Sequence, residues 1–138
     1  MSVDHFVGRW LEEKKEGFHC LASALGLSDE QKTFFENSQS ELSYARDGNT
    51  WTIQVGIVGV PQKTTFTFKM GESYSSTNID GSPLKSVVRQ DGGRLIEKHE
   101  SSGQRKFVMD IEREVTGDTM NATTSIGGVS MQTIYKRT

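Results

Sequence analysis

The sequence predicts an all-β fold, an antiparallel β-barrel of nine or ten strands with two short helices after the first strand. Two observations support this prediction. Apolar and polar residues alternate with a period of two from about residue 39 onward, and turn signals interrupt the alternation at short intervals. Closure into a barrel is favoured because it removes exposed strand edges. A barrel of this width cannot be filled by its own side chains, so we expect an internal cavity.

The elements follow in order along the chain. A first strand is expected over residues 6–14. Between residues 16 and 37 the apolar period is helical, with Phe18, Leu21 and Leu25 on one face, and Gly26 ends this helix. A second helix begins at Ser28, which has capping-box spacing. We expect the two helices to form a lid over the mouth of the barrel.

The strands that follow each have one apolar side. Trp51, Ile53 and Val55 alternate with polar residues, as do Phe66 and Phe68. Seven turn signals separate the strands: Asp47-Gly48, Met70-Gly71, Asp80-Gly81, Asp91-Gly92-Gly93, Ser102-Gly103, Gly117-Asp118 and Gly127-Gly128. Short connections of this kind imply antiparallel neighbours.

Composition limits the class of protein. The chain has 138 residues, a formal net charge of −2 and one cysteine, Cys20, so we expect one domain spanning residues 1–138 and no internal disulfide. The balance of charge argues against a nucleic-acid partner. No apolar run approaches the roughly 18 residues of a membrane span, and no signal-peptide pattern occurs. We expect a cytoplasmic monomer without stable membrane insertion.

An ordered set of short motifs runs along the chain: Phe6-Val7-Gly8-x-Trp10, Gly17-Phe18, Ala24-Leu25-Gly26, Asp47-Gly48-x-Thr50, Phe68-Lys69-x-Gly71-Glu72, Asp80-Gly81, Lys85-Ser86-Val87-Val88, Asp91-Gly92-Gly93-x-Leu95, Arg113-Glu114 and Tyr135-Lys136. Their order and spacing resemble those of the intracellular fatty-acid-binding protein family. The resemblance covers essentially the whole chain. It implies a ten-stranded β-clam with a two-helix lid after the first strand, a lipid held in a hydrated cavity, and no catalysis.

The resemblance also implies a site for a ligand carboxylate. Arg113 is similar to an inward arginine of the family, and Tyr135 to its tyrosine on the last strand. The alternation places Arg113 on the same face as Met109 and Ile111, and therefore inside the barrel. Thr133 stands where the family has a second arginine, so it is a candidate third contact through its hydroxyl. A buried guanidinium requires an acceptor such as a carboxylate.

The cavity wall and its opening are expected to include thirteen side chains. They are Phe18, Trp51, Ile53, Val55, Val58, Val60, Phe66, Phe68, Met109, Ile111, Met120, Ala122 and Met131.

Several interpretations remain open at the level of sequence. If the first strand has no bulge, Glu12 faces inward and could neutralise Arg113, which would make the arginine part of an internal ion pair instead of a ligand anchor. Phe18 fits either a portal residue or plain lid packing. The turn at residues 58–61 fits either an apolar gate or a tolerated hydrophobic loop. Asp80 matches an acidic family position, and we favour a simple turn there.

The predicted function is non-catalytic intracellular binding and transport of long-chain fatty acids or similar amphipathic lipids, with no cofactor. A neutral or bulkier ligand, such as a retinoid, sterol or bile-acid-like molecule, is the first alternative because the second arginine is missing. A remote alternative is an enzyme acting on an apolar substrate inside the barrel. His5, His19 and His99 are widely spaced in the sequence, so no metal site is expected.

Overall fold

A computed structural model describes residues 3–77, 82–101 and 107–138. The helices are α1 (Phe18–Leu25) and α2 (Asp29–Glu36). The strands are β1 (Gly8–Glu16), β2 (Ser40–Asp47), β3 (Thr50–Ile57), β4 (Thr64–Phe68), β5 (Tyr74–Thr77), β6 (Pro83–Asp91), β7 (Arg94–Ser101), β8 (Val108–Thr116), β9 (Thr119–Ile126) and β10 (Val129–Arg137). The predicted all-β fold with two helices after the first strand is confirmed.

The ten strands form one antiparallel sheet that curls into a nearly closed barrel. Its order is β4-β3-β2-β1-β10-β9-β8-β7-β6-β5, so the first and last strands of the chain are neighbours. Strands β4 and β5 are the two ends of the sheet, and no ladder joins them in the parts of the chain that the structure describes. Of the predicted turns, Asp80-Gly81 and Ser102-Gly103 lie outside the described residues.

A glycine ends the first helix, and a capping box begins the second. Gly26 follows α1 with φ 78°, a left-handed conformation that a residue with a side chain rarely adopts. At the start of α2, the Ser28 hydroxyl accepts from the Gln31 amide at 3.2 Å, and the Gln31 side chain accepts from the Ser28 amide at 2.9 Å. This is the predicted capping box. The buried face of α1 comprises Phe18, Leu21, Ala22 and Leu25.

The first strand differs from its prediction at its start and in its middle. Phe6 lies in a short 3-10 turn, where it is fully buried and its carbonyl accepts from the Trp10 indole at 2.9 Å. Further along, Glu12 pairs with Tyr135 and Lys14 with Ile134, so Glu13 is an extra residue in β1. This β-bulge reverses the alternation of faces after Glu12.

Aromatic side chains close the end of the barrel away from the helices. The rings of Trp51 and Phe68 stack with their centroids 6.4 Å apart, and Tyr74 stacks on Phe68 at 5.4 Å. Trp10 and Trp51 are 1% and 2% exposed. Side chains therefore fill this end of the barrel, and the internal cavity lies nearer the helices. In the described part of the chain, neither helix has the length and apolar character required to cross a bilayer.

Candidate functional site

An internal cavity lies between the two helices and the inner faces of the strands. Its volume is about 390 Å³, and ligand pockets typically measure about 300–1,000 Å³. The wall is mainly apolar. Nine of the thirteen predicted wall residues line it: Phe18, Ile53, Val55, Val60, Phe66, Met109, Ile111, Ala122 and Met131. Phe18 thus belongs both to the packing of the lid and to the cavity wall.

The other four predicted wall residues do not line the cavity. Trp51, Phe68 and Met120 are 2%, 4% and 0% exposed, because inward-facing side chains at the closed end of the barrel pack against one another and leave no space. Val58 lies in the loop after β3 and is 45% exposed to solvent. The prediction that these four contribute to the cavity is therefore corrected.

Arg113, Thr133 and Tyr135, the predicted head-group contacts, all line the cavity. Arg113 lies opposite Ala122 on the neighbouring strand, and Ala122 lies opposite Thr133 on the strand after that. The small residue Ala122 therefore lies between Arg113 and Thr133 across the sheet. Tyr135 is two residues beyond Thr133 on β10 and is 8% exposed. The three side chains belong to a polar part of a mainly apolar wall.

Arg113 already has an internal partner, and that partner is Glu97 on β7. Arg113 Nε donates to Glu97 Oε2 at 2.5 Å, and the two residues are 8% and 5% exposed. Arg113 Nη1 also lies 3.9 Å from the sulfur of Met120. The idea of an internal ion pair is therefore right for Arg113, but Glu12 is not the partner.

The electrostatics of this pair follow from its burial. Burial alone would raise the pKa of Glu97, but Arg113 and a hydrogen bond with His99 outweigh it and lower the pKa from 4.5 to about 2. Burial would lower the pKa of Arg113, and Glu97 more than reverses that effect. Burial raises the pKa of both Tyr44 and Tyr74, so these phenols are neutral at physiological pH. The Tyr44 hydroxyl is buried without a hydrogen-bond partner among the described residues.

A chain of hydrogen bonds extends from this ion pair across the sheet to β5. Glu97 Oε1 lies 2.9 Å from His99 Nε2, and His99 Nδ1 lies 2.6 Å from the Ser86 hydroxyl. The Ser86 hydroxyl lies 2.7 Å from that of Ser76. Sequence reasoning missed this chain. Leu95 and Ile96 are both apolar, so the alternation of β7 does not by itself reveal which face is inward.

Glu12 belongs to a second ion pair, close to the helices. Its Oε2 lies 3.2 Å from Lys15 Nζ, and its Oε1 accepts from the Ser40 hydroxyl at 2.7 Å. Lys15 Nζ also donates to the carbonyls of Phe35 at 2.6 Å and Ser38 at 3.0 Å. The bulge at Glu13 turns Lys15 inward, where its side chain is only 14% exposed. This lysine therefore connects β1 to the end of α2.

The histidines do not assemble a metal site. In the ranges that the structure describes, no group of three or more His, Cys, Asp or Glu side chains is placed to hold a metal ion. His99 is nevertheless a cavity residue, 7% exposed.

Comparison with known proteins places the chain in a family. No protein-family model matches it. A fatty acid-binding protein type 2 from Fasciola hepatica is 31% identical over 124 residues, covering 90% of this chain and 91% of the relative. A fatty acid-binding protein from Schistosoma japonicum is 29% identical, covering 98% and 99%. The solved structure of a Schistosoma mansoni fatty acid binding protein in complex with arachidonic acid is similar with a TM-score of 0.90 and 28% identity, covering 100% of this chain and 99% of that one. On the strength of this similarity, which extends along nearly the whole length of both sequences, the chain belongs to the fatty-acid-binding protein family.

Proposed function

We propose that the protein is a non-catalytic carrier that binds and transports long-chain fatty acids or similar amphipathic lipids. The observation that carries this proposal is the internal cavity of about 390 Å³, with mainly apolar walls and a polar region around Arg113, Thr133 and Tyr135. The acyl chain lies along the apolar wall, where each buried methylene contributes about 0.8 kcal/mol before losses. The polar region orients the head group. Binding needs no metal or cofactor.

The place of action is proposed to be the cytoplasm, with the protein acting as a monomer. The single cysteine and the balanced surface charge fit a reducing compartment and a freely diffusing protein. Asp29 and Glu30 in the first turn of α2 give the lid an acidic character, which disfavours stable attachment to anionic membranes.

The test is to ask what the purified protein carries. Protein isolated from cells is extracted and analysed by native mass spectrometry, and we expect a bound fatty acid or related lipid. Removal of that lipid should lower the melting temperature, and added oleate should restore it, because a ligand that binds only the folded state stabilises it. Melting that neither verified delipidation nor oleate alters would contradict the proposal.

A lipid with a neutral head group is a second candidate ligand, and one observation favours it. Arg113 is already neutralised by Glu97, so the polar region presents no free cation. A retinoid alcohol or a sterol would meet this region with a hydroxyl group and would add no charge. Competition between oleate and oleyl alcohol for the same cavity compares the two head-group classes directly.

The geometry gives little support to catalysis on a substrate in the barrel. Ser86, His99 and Glu97 are hydrogen-bonded in the order of a serine–histidine–carboxylate arrangement. Ser86, however, is 1% exposed and does not line the cavity. A nucleophile must reach the reacting carbonyl at about 3 Å, so a serine behind the cavity wall cannot act as one.

A further inference from the structure

The charges of the side chains that line the cavity balance one another. In the described chain they are Glu12 and Glu97 on the acidic side and Lys15 and Arg113 on the basic side. Each acid contacts one base: Glu12 Oε2 lies 3.2 Å from Lys15 Nζ, and Glu97 Oε2 lies 2.5 Å from Arg113 Nε. These four charges therefore sum to zero, and this balance bears on the ligand chemistry of the function proposed above.

Among the residues that the structure describes, those around the Glu97–Arg113 pair offer no further fixed cation. Tyr74 on β5, Tyr44 on β2 and Tyr135 on β10 all interact electrostatically with Arg113. Met120 on β9 contributes only its sulfur, and β6 contributes the Ser86 hydroxyl beside His99. A carboxylate entering beside Arg113 would thus add one negative charge that no fixed cation balances. An unbalanced buried charge is strongly unfavourable.

We propose that Glu97 is a specificity-determining residue, because it makes this site take up a fatty acid together with one proton, whereas a lipid with a neutral head group binds without one. The proton comes from solution and returns to solution when the acid leaves. No covalent bond is made or broken. This inference rests on the proposed lipid-carrier function and adds the charge state in which an acid is bound.

The chain of hydrogen bonds from Glu97 to Ser76 can accommodate the added proton. A neutral imidazole has one donor and one acceptor nitrogen, so His99 can donate to Glu97 and accept from Ser86. An imidazolium has two donors, and Ser86 must then accept from His99 Nδ1. The hydroxyls of Ser86 and Ser76 are 2.7 Å apart and either can be the donor, so their bond can reverse to suit both states. The site accommodates the extra proton without leaving His99 or Ser86 unsatisfied.

The ligand itself supplies the reason for protonation. In the free protein Arg113 keeps Glu97 ionised against the effect of burial. A ligand carboxylate that also binds the guanidinium weakens the stabilisation that Arg113 gives to ionised Glu97. Burial still disfavours the charged form of Glu97. The ligand carboxyl, Glu97 and His99 then retain one added proton between them. A fatty alcohol leaves the Glu97–Arg113 pair intact and needs no proton.

The experiment counts protons during binding. Oleate and oleyl alcohol, kept below their aggregation limits, are titrated into the delipidated wild-type protein by calorimetry at pH 7.5 in phosphate and in Tris. The dependence of the observed enthalpy on the ionisation enthalpy of the buffer gives the protons taken up. We expect about one for oleate and about none for oleyl alcohol. The dissociation constant of oleate should rise about tenfold per pH unit between pH 7 and pH 8, since one proton is linked to one binding event.

Two glutamate variants test the assignment to Glu97. In Glu97→Gln, Arg113 is left as an unpaired cation, so oleate should bind without proton uptake and lose its pH dependence. The matched control is Glu112→Gln, which removes an exposed carboxylate on β8 that pairs with Arg94 and should keep the wild-type uptake.

The outcomes separate the two levels of the proposal. Oleate binding to the wild type with no net proton would overturn this inference and leave the carrier function standing, even if Glu97→Gln did not fold. Proton uptake on oleate binding that persists in a folded Glu97→Gln variant would overturn the role of Glu97. Failure of both lipids to bind the wild type would overturn the carrier function and this inference together.

Discussion

Glu97 reaches Arg113 diagonally across two neighbouring strands. Leu95 lies directly opposite Arg113, and Glu97 lies opposite Ile111, so the carboxylate and the guanidinium are one inward-facing position out of register. Their side chains are long enough to close this offset, and Glu97 Oε2 is 2.5 Å from Arg113 Nε. The contact neutralises the basic residue most suited to hold a ligand carboxylate.

The first prediction concerns the stability of this pair. Glu97→Gln should lower the free energy of unfolding by about 3–5 kcal/mol, because it leaves a buried guanidinium without its carboxylate. Glu97→Gln combined with Arg113→Met should recover most of that loss. Urea unfolding measures both. The control is Glu112→Gln, which breaks an exposed pair and should cost less than about 1 kcal/mol. Additive losses in the double variant would contradict this account.

The second prediction concerns acid stability. Since Arg113 lowers the pKa of Glu97 in the folded state from 4.5 to about 2, ionised Glu97 stabilises the fold above about pH 4.5. That stabilisation should be lost as the pH falls from 4.5 towards 2. The free energy of unfolding of the wild type is measured across this range beside that of Glu97→Gln. The wild type should lose more stability than the variant, and parallel curves would show that Glu97 is not responsible.

The third prediction concerns ligand affinity at Arg113. Arg113→Gln should lower the affinity for oleate by about ten- to a hundredfold, because a hydrogen bond to a charged group is worth roughly 1.5–3 kcal/mol. The affinity for oleyl alcohol should fall much less. Calorimetric titration of both lipids measures the difference. Equal losses of affinity would mean that the arginine shapes the cavity but does not bind the ligand carboxylate.

The fourth prediction concerns Thr133. Thr133→Arg adds a cation across Ala122 from Arg113 and gives the cavity a net positive charge. Oleate should then bind about tenfold or more tightly at pH 8, because a charge-assisted contact is gained. Its binding should take up no proton, whereas oleyl alcohol should gain little. The control is Thr123→Arg, on the exposed face of β9. Unchanged proton uptake in Thr133→Arg would contradict the charge-balance argument.

The fifth prediction concerns the attachment of the lid. Lys15→Met combined with Glu12→Gln removes the two bonds from Lys15 to the carbonyls at the end of α2 without leaving a charge unpaired. Oleate should dissociate about tenfold faster, since such bonds are worth more than about 1.4 kcal/mol, and amides of α2 should exchange faster. Stopped-flow displacement and hydrogen exchange measure these changes. The matched control is Lys14→Met with Glu16→Gln, an exposed neighbouring pair, which should leave both rates unchanged.

The sequence by itself determined the fold class and most of the cavity wall. Alternation with a period of two placed Met109, Ile111 and Arg113 on one inward face, because side chains of a strand alternate strictly between its two sides. Glycine-containing turns marked most strand ends, and the capping box at Ser28 fixed the start of the second helix. These are local signals, and each can be read without knowing what lies across the barrel.

Only the tertiary structure decided the partners of the buried charges. The extra residue Glu13 in β1 turns Lys15 inward, and a bulge of this kind leaves no reliable trace in the residue pattern. The face of β7 was ambiguous because Leu95 and Ile96 are both apolar. One signal could have resolved it. The turn at Gly92-Gly93 pairs Asp91 with Arg94 and so places Glu97 opposite Val88. An ion pair is formed by distance in three dimensions, and the register of β7 against β8 sets that distance for Glu97 and Arg113.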